Sequence, residues 1–296
     1  MTTGIIFTIL LLIIVPAAVY LIIRLRLIDI VLRFVTWLAA FITIVVLVYL
    51  IGYILVKGLP YLKPSLFSLT YNSENVSIVP AAVTTLMMTG LSLLIALPLG
   101  IFAAIYLTEY AKRGNTAVHL VRITTETLSG IPSIVYGLFG WLFFVSFLGW
   151  RLSLIAGAFT LAIMILPLIM RSTEEALKSV PDSYREGAFS LGAGKLRTIF
   201  KIVLPSAVPG ILAGVILAVG RIVGETAALL YTAGSLAKIP SSIGDSARTL
   251  SVHMYVLSSE GLHTNEAYAT AVVLLILVIG INTLSATVAK RMGGSA

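Results

Sequence analysis

The chain has no cysteine, few charged residues and only three histidines among its 296 residues. Without cysteine it can form no disulfide framework, no thiolate metal site and no cysteine nucleophile. Charged residues make up 11% of the chain, against about 25% in a typical globular protein, and hydrophobic residues make up 59%. This composition excludes an ordinary soluble domain and predicts an all-α polytopic membrane protein.

Long apolar segments occupy most of the sequence. A helix needs about 20 apolar residues to cross the hydrocarbon core of a bilayer. Seven segments meet this length, namely 5–23, 34–56, 81–107, 124–148, 152–170, 207–231 and 267–289.

The net charge is +8, and the 20 basic residues are unevenly distributed between the two sides of these spans. Fourteen fall on one side, five on the other, and Arg221 falls within a span. By the positive-inside rule the side with fourteen is cytoplasmic, which places the N-terminus outside and the C-terminus inside. The positive charge therefore indicates topology and not a nucleic-acid surface, which would need a basic cluster on a soluble domain.

The longest connection on the basic side, 171–206, is charged but regularly patterned. Ser179 as N-cap, Pro181 in the first turn and Asp182 near the positive helix end predict a short helix. Gly192 and Gly194 are the predicted stop signal. One face of this helix would carry Tyr184, Ala188 and Leu191. The helix could lie in the interface between two spans, or it could present its outer face to a soluble partner.

The same segment resembles the EAA motif of ABC importer permeases, which is Glu-Ala-Ala, three residues, Gly, nine residues, Ile, one residue, Leu-Pro. Six of its seven defined positions match. The corresponding residues are Glu186, Gly187, Ala188, Gly192, Ile202, Leu204 and Pro205. Gly187 replaces the first alanine, at a cost of up to about 1 kcal/mol in helix stability. The resemblance implies that this segment docks an ATP-binding subunit and transmits ATP-driven closure to the spans.

Residues 130–140, 220–234, 250–255 and 267–271 narrow the resemblance to the PstA-type permease family of bacterial phosphate ABC importers. It runs from about residue 34 to the C-terminus and implies a six-span importer core over 34–296. Residues 1–33 would be an extra N-terminal transmembrane helix with a basic connection. The implied partners are a second, PstC-type permease, two ATP-binding subunits, an external phosphate-binding protein and the lipid bilayer, with no nucleic acid.

A P-loop for ATP needs Gly, four residues, then Gly-Lys-Ser/Thr. The nearest approach is Gly194 with Lys195, but Phe189 occupies the first glycine position and Leu196 follows the lysine. We therefore expect a transport subunit and not an enzyme, with no catalytic residue, cofactor or metal site. ATP hydrolysis is expected in separate partner subunits.

Arg221 and Glu225 lie within the predicted span 207–231. A charge at membrane depth costs about 2.5 kcal/mol or more, so it normally faces a cavity or a partner. Spaced four residues apart on one helix, the two would share a face. They could form an ion pair that neutralises itself, or Arg221 could offer its guanidinium to phosphate while Glu225 holds it in the empty site. Small residues on that face would allow close helix approach or room for an anion, and these are Gly214, Ala218 and Ala228.

Hydroxyl groups at Thr85, Thr89 and Ser92 recur along one face of the third span. They could line the same substrate pathway, or they could make interhelical or local backbone hydrogen bonds.

Four further polar residues are expected to have structural or solvated positions. Arg122 and Glu126 are expected to pair along one helix. His253 and His263 are expected to be solvated or interfacial residues of the outer connection.

Two alternatives to phosphate import stay open at this point. The docking motif does not identify the cargo, so another oxyanion or small solute fits it equally well. An ion-coupled secondary transporter that uses Arg221 and Glu225 belongs to a different class, and dependence of uptake on ATP would exclude it.

Overall fold

The computed structural model describes residues 14–16, 19–20, 27–112 and 114–293. All regular elements in these residues are helical. The α-helices are α1 Leu27–Gly58, α2 Val79–Ile105, α3 Thr116–Ser129, α4 Ser133–Gly140, α5 Leu154–Ser179, α6 Asp182–Ser190, α7 Lys195–Thr198, α8 Leu204–Gly224, α9 Ala227–Thr232, α10 Leu250–Glu260 and α11 Thr264–Gly293. Of the predicted span 5–23, residues 14–16 and 19–20 are helical, and the rest lies outside the described residues.

Three π-helical turns adjoin α-helices in the described residues. These turns are Tyr106–Tyr110 after α2, Trp141–Phe147 after α4 and Ile199–Val203 between α7 and α8.

The described residues contain five helical runs that are long and apolar enough to cross a membrane. They are Asp29–Tyr61, Val79–Tyr110, Leu154–Ser179, Lys195–Gly224 and Thr264–Thr287. The pair Thr116–Ser129 and Ser133–Phe147 forms a sixth span if its two halves, bent by 104°, are counted together. The prediction of an all-α polytopic membrane fold is therefore confirmed.

The bend divides the span predicted over 124–148 into two helices. Pro132 lies at its centre as the N-cap of α4, with φ −60° and ψ 142°. Proline donates no backbone hydrogen bond and drives the residue before it out of the helical region. Gly130 ends α3 on the other side of the bend.

The chain divides into two compact units, Met1–Val56 and Lys57–Ala296. The first unit contains most of α1, and most of the large apolar side chains between Ile30 and Val56 are exposed. The division that the sequence predicts at residue 33 stays a prediction.

The centre of the second unit is an apolar cluster contributed mainly by α2, α5, α8 and α9. Its large buried side chains include Met88, Leu161, Met164, Ile165, Ile169, Ile222 and Leu229. Gly214 lets α8 approach α5 closely, because a Cβ added there would lie 1.9 Å from the Ser172 Oγ. The small residues of α8 therefore serve helix packing.

The predicted span 207–231 is broken near its end, which corrects the sequence-based prediction of a continuous helix. Helix α8 ends at Gly224, Glu225 is extended with φ −72° and ψ 129°, and α9 begins at Ala227. Glycine weakens a helix interior, and Glu225 supplies an alternative partner for the backbone, since its Oε1 accepts a hydrogen bond from the Ala228 N–H at 3.0 Å.

Candidate functional site

Arg221 lies in the last turn of α8 and is half-buried. Within the described part of the chain its guanidinium makes no hydrogen bond and no ion pair. It is within electrostatic range of Tyr136 in α4, whose hydroxyl donates a hydrogen bond to the Leu128 carbonyl at 2.7 Å. The donors of the guanidinium are thus uncommitted within the described residues.

Glu225 does not share a helical face with Arg221, and that prediction is wrong because the helix breaks between them. Glu225 is 8% exposed, and its carboxylate accepts from the Ala228 N–H. Its backbone carbonyl accepts a hydrogen bond from the Ser251 Oγ at 2.5 Å, which ties the break to α10. The carboxylate therefore caps the start of α9, and no ion pair joins it to Arg221 among the described residues.

The small residues near this break are used for helix contact. Ala228 is fully buried, and a Cβ added at Gly137 of α4 would lie 2.8 Å from the Ala228 Cα. Ala218 is also fully buried in the central cluster. Of the two uses that the sequence allows for this face, close helix approach is the one observed here.

Thr85, Thr89 and Ser92 of α2 are buried, and each hydroxyl donates to the carbonyl four residues earlier at 2.8 Å. The Thr85 Oγ1 also accepts from the Leu250 N–H at 2.9 Å, at the start of α10. These hydroxyls are engaged with the backbone in this conformation. A role for them in a substrate pathway stays a prediction.

The segment with the motif forms the predicted short helix, α6, but with a different start. Helix α5 continues through Ser179, whose Oγ donates to the Ala176 carbonyl at 2.8 Å, and Pro181 is the N-cap of α6. The prediction of Ser179 as N-cap is therefore wrong. Val180, which precedes the proline, is extended with ψ 123° and separates the two helices.

Helix α6 turns a narrow face toward the protein and a broad face away from it. Ala188 is buried and Arg185 is mostly buried, whereas Tyr184 is 51% and Leu191 is 90% exposed. The prediction that Tyr184, Ala188 and Leu191 share one face is thus wrong, because the inner face of α6 is formed by Ala188 and Arg185. The exposed face carries Glu186, Gly187 and Phe189.

Gly192 ends α6 as predicted. Its φ is +83°, and its N–H donates to the Phe189 carbonyl at 2.9 Å, while the Ala193 N–H donates to the Ala188 carbonyl at 3.0 Å. An added Cβ would meet nothing within 4 Å. Glycine is therefore needed for the left-handed backbone conformation and not for space.

The end of the motif is anchored in the protein. Ile202 lies in the π turn before α8, and Leu204 and Pro205 begin α8. Ile199 and Val203 of the same turn are buried in a second apolar cluster that contains residues of α2, α5 and α8. The candidate docking segment, residues 182–205, is therefore exposed along most of α6 and is held in the protein by the buried Ile199 and Val203.

One group of contacts was not predicted from the sequence. Arg185 of α6 pairs with Glu109 in the π turn after α2, with Nη2 and Oε1 2.7 Å apart. The two residues are separated by 76 positions in the chain. Periodicity and motif spacing contain no signal for such a distant pair.

Arg122 also has a different partner from the one expected. Its Nη2 lies 2.6 Å from the Oε1 of Glu174 in α5, which also accepts from the Lys178 Nζ at 2.6 Å. Pairing with Glu126 along α3 is therefore wrong, because a carboxylate on the neighbouring helix competes for the guanidinium.

His253 is fully buried in α10, which contradicts its expected solvated position. Its ring packs edge-on against Tyr71, and its Nδ1 lies 3.4 Å from the Arg248 Nη1. Burial, reinforced by the Arg248 charge, lowers the pKa of His253 from 6.5 to about 4. His263 is partly exposed, 3.8 Å from Glu266.

Comparison with known proteins assigns these elements to a family. The family model described as "Binding-protein-dependent transport system inner membrane component" matches residues 96–293. The chain is 38% identical over 208 residues to the probable ABC transporter permease protein YqgI of Bacillus subtilis (strain 168), covering 65% of this chain and 70% of that protein. It is 36% identical over 222 residues to the phosphate transport system permease protein PstA of Mycobacterium leprae (strain TN), covering 73% of this chain and 69% of that protein.

The fold also resembles a solved structure, a chain of a bacterial ABC transporter involved in the import of the acidic polysaccharide alginate. The TM-score is 0.63, and the match covers 88% of this chain and 95% of that chain. Sequence identity is 19%, so this likeness concerns the fold alone.

Proposed function

The chain belongs to the family of binding-protein-dependent transport system inner membrane components, and from that premise we propose that it is a permease subunit of an ATP-driven importer of inorganic phosphate. The observation that carries the proposal is the 36% identity, over 73% of the chain, to a protein named as a phosphate transport system permease. The family match at 96–293 includes both the docking segment and the Arg221 region.

The exposed face of α6 supports docking of an ATP-binding subunit. Tyr184, Phe189 and Leu191 expose apolar side chains at this end of the protein, and Leu196 adds a fourth in α7. Exposed apolar side chains grouped around a helix are typical of a surface that a partner covers. Because the segment 171–201 carries six basic residues, we place this end in the cytoplasm, with the N-terminus outside and the C-terminus inside.

Arg221 is the residue we propose for contact with phosphate. A guanidinium suits an oxyanion because it can donate two parallel charge-assisted hydrogen bonds. Its donors are uncommitted within the described residues, and the buried Glu225 carboxylate is occupied by the Ala228 N–H. A single arginine also favours weak, transient binding, which transport requires because the anion must leave. Thr85, Thr89 and Ser92 would contribute only after their backbone bonds rearrange.

The complete importer would contain a PstC-type second permease, two ATP-binding subunits and an external phosphate-binding protein in a lipid bilayer. This chain would form half of the translocation pathway and would leave ATP hydrolysis to the partners.

The proposal is tested by isolating the chain from its native membrane in mild detergent and reconstituting the complex into liposomes. We expect a second permease and an ATPase to co-purify, and phosphate uptake to require ATP and the external binding protein. Competition by sulfate with equal potency would favour another oxyanion as cargo. Uptake driven by a proton or sodium gradient without ATP would overturn the assignment in favour of a secondary transporter.

A further inference from the structure

Helix α6 is attached to the rest of the protein through very few side chains. Among residues 182–190, only Ala188 is buried, and only Arg185, on the same inner face, is half-buried. The other seven residues are exposed. Any force that a docked partner applies to α6 must therefore pass through this inner face or through the two chain ends of the helix.

The Arg185 guanidinium contacts two elements outside α6, namely the π turn after α2 and the end of α5, and its Nη1 lies 3.2 Å from the exposed Asp182 Oδ1 within α6. Its Nη2 lies 2.7 Å from the Glu109 Oε1 in the π turn that ends the span Val79–Tyr110, and its Nε lies 3.2 Å from the same oxygen. Nη2 also donates to the Leu177 carbonyl at 2.9 Å, and Nη1 donates to the Val180 carbonyl at 2.8 Å. These two carbonyls end α5, where helical carbonyls lack partners and the helix dipole favours a cation.

The pair is protected from solvent, since the side chains of Arg185 and Glu109 are 15% and 8% exposed. Charge-assisted hydrogen bonds made by a planar guanidinium are short and directional, and salt screens them little when they are buried. Lys195 of α7 adds a second contact to the same π turn, because its Nζ lies 4.8 Å from the centre of the Tyr110 ring. The docking segment and the end of α2 are thus joined at two points.

We propose that the buried Arg185–Glu109 ion pair is the link that transmits movement of α6 to the span Val79–Tyr110. Arg185 and Glu109 are positioning residues in this account, because neither contacts the transported anion. The inference rests on the proposed function in one respect, namely that an ATP-binding subunit docks on α6. It goes further by assigning the coupling to one pair outside the seven motif positions.

The test measures phosphate imported per ATP hydrolysed in the reconstituted complex. Glu109→Gln keeps the size and one acceptor oxygen but removes the charge, and Arg185→Lys keeps the charge but removes the planar fork. We expect each variant to assemble with its ATPase and to hydrolyse ATP, while importing roughly 10-fold less phosphate per ATP. The matched control is Glu175→Gln, which removes an exposed pair with Arg171 within α5 and should leave the ratio unchanged.

A covalent link gives an independent readout. The chain has no cysteine, so Glu109→Cys combined with Arg185→Cys places the only two thiols of this subunit across the link. Both side chains line a cavity of about 830 Å³ that admits a reagent. Bridging the thiols with a bifunctional thiosulfonate should restore coupling, whereas the monofunctional reagent should not.

The outcomes separate this proposal from the proposed function. If the Glu109→Gln complex imports as much phosphate per ATP as the Glu175→Gln complex, the link is refuted. If Glu109→Gln and Arg185→Lys both lose the ATPase during purification, or if bridging restores nothing, the pair serves assembly and the coupling role is also refuted. Failure of the unmodified chain to bind any ATPase would instead refute the proposed function.

Discussion

Replacement of Arg221 by glutamine should impair phosphate transport strongly while leaving the folding of the subunit nearly unchanged. The guanidinium has no hydrogen bond or ion pair within the described residues. Its removal therefore leaves no buried carboxylate unpaired, and the free energy of unfolding should change by less than about 1 kcal/mol. A guanidinium that contacts phosphate in the pathway contributes charge-assisted hydrogen bonds, whose loss should lower uptake by roughly 10- to 100-fold.

The observed position of Arg221 and an internal ion pair with Glu225 predict different stabilities for this variant. If Arg221 instead neutralised Glu225, its removal would leave a buried charge without a partner and would cost about 3–5 kcal/mol. The stability of the variant thus distinguishes the observed arrangement from an internal ion pair. Arg221→Lys keeps the charge but cannot donate in parallel, so we expect it to restore uptake only in part.

The assay combines two measurements on the same purified complex. Radiolabelled phosphate uptake into liposomes reports transport, and thermal unfolding in detergent reports stability. Glu225→Ala is the reciprocal variant, because it removes the acceptor of the Ala228 N–H. It should lower the thermal stability more than Arg221→Gln does. Normal uptake by Arg221→Gln, or a loss of stability as large as that of Glu225→Ala, would refute our account of this site.

Three further predictions concern backbone, packing and protonation. Gly192→Ala should weaken ATPase retention during purification, because the φ of Gly192 is +83° and an alanine in the left-handed conformation costs about 1–2 kcal/mol. The control Gly187→Ala lies in the interior of α6 with open space around it and should have no such effect. Gly214→Ala should lower the thermal midpoint, because its Cβ would lie 2.4 Å from the Ser172 Cβ, whereas Gly220→Ala on the same helix meets nothing within 4 Å and should be tolerated. Folding lowers the pKa of His253 from 6.5 to about 4. Between these two pH values the unfolded chain binds a proton at this residue that the folded chain does not bind. The free energy of unfolding should therefore fall by roughly 3 kcal/mol as the pH drops across this range. His253→Gln should flatten that part of the pH profile, and an unchanged profile would show that His253 is not buried in a neutral form.

The sequence predicts those parts of the fold that depend on local chemistry. Hydrophobic length locates the spans, and the glycine at 192 locates the end of α6, because a left-handed residue is required there. Hydropathy cannot locate the break at Glu225, since the residues on both sides are apolar and the cause of the break is a side chain that bonds to the Ala228 backbone. The assumption of an unbroken helix then produced the wrong pairing with Arg221.

Predictions of ion pairs failed where a partner from another helix was closer. Spacing within α3 favours Arg122 with Glu126, but Glu174 of α5 lies 2.6 Å from the arginine. In the same way Arg185 reaches across 76 residues to Glu109. Such pairs depend on tertiary packing, which one sequence read by local periodicity does not contain.

The burial of charge separates structural residues from the residue we assign to transport. Glu225 and Arg185 are both mostly buried, and each is satisfied within the protein, the first by the Ala228 N–H and the second by Glu109 and two carbonyls. Arg221 has no such partner among the described residues, although a charge at membrane depth costs about 2.5 kcal/mol or more. A partner from outside the chain would offset that cost, and an oxyanion in transit has the charge and the acceptor geometry to do so. The substrate assignment therefore depends on Arg221 remaining unpaired, which the stability of Arg221→Gln measures directly.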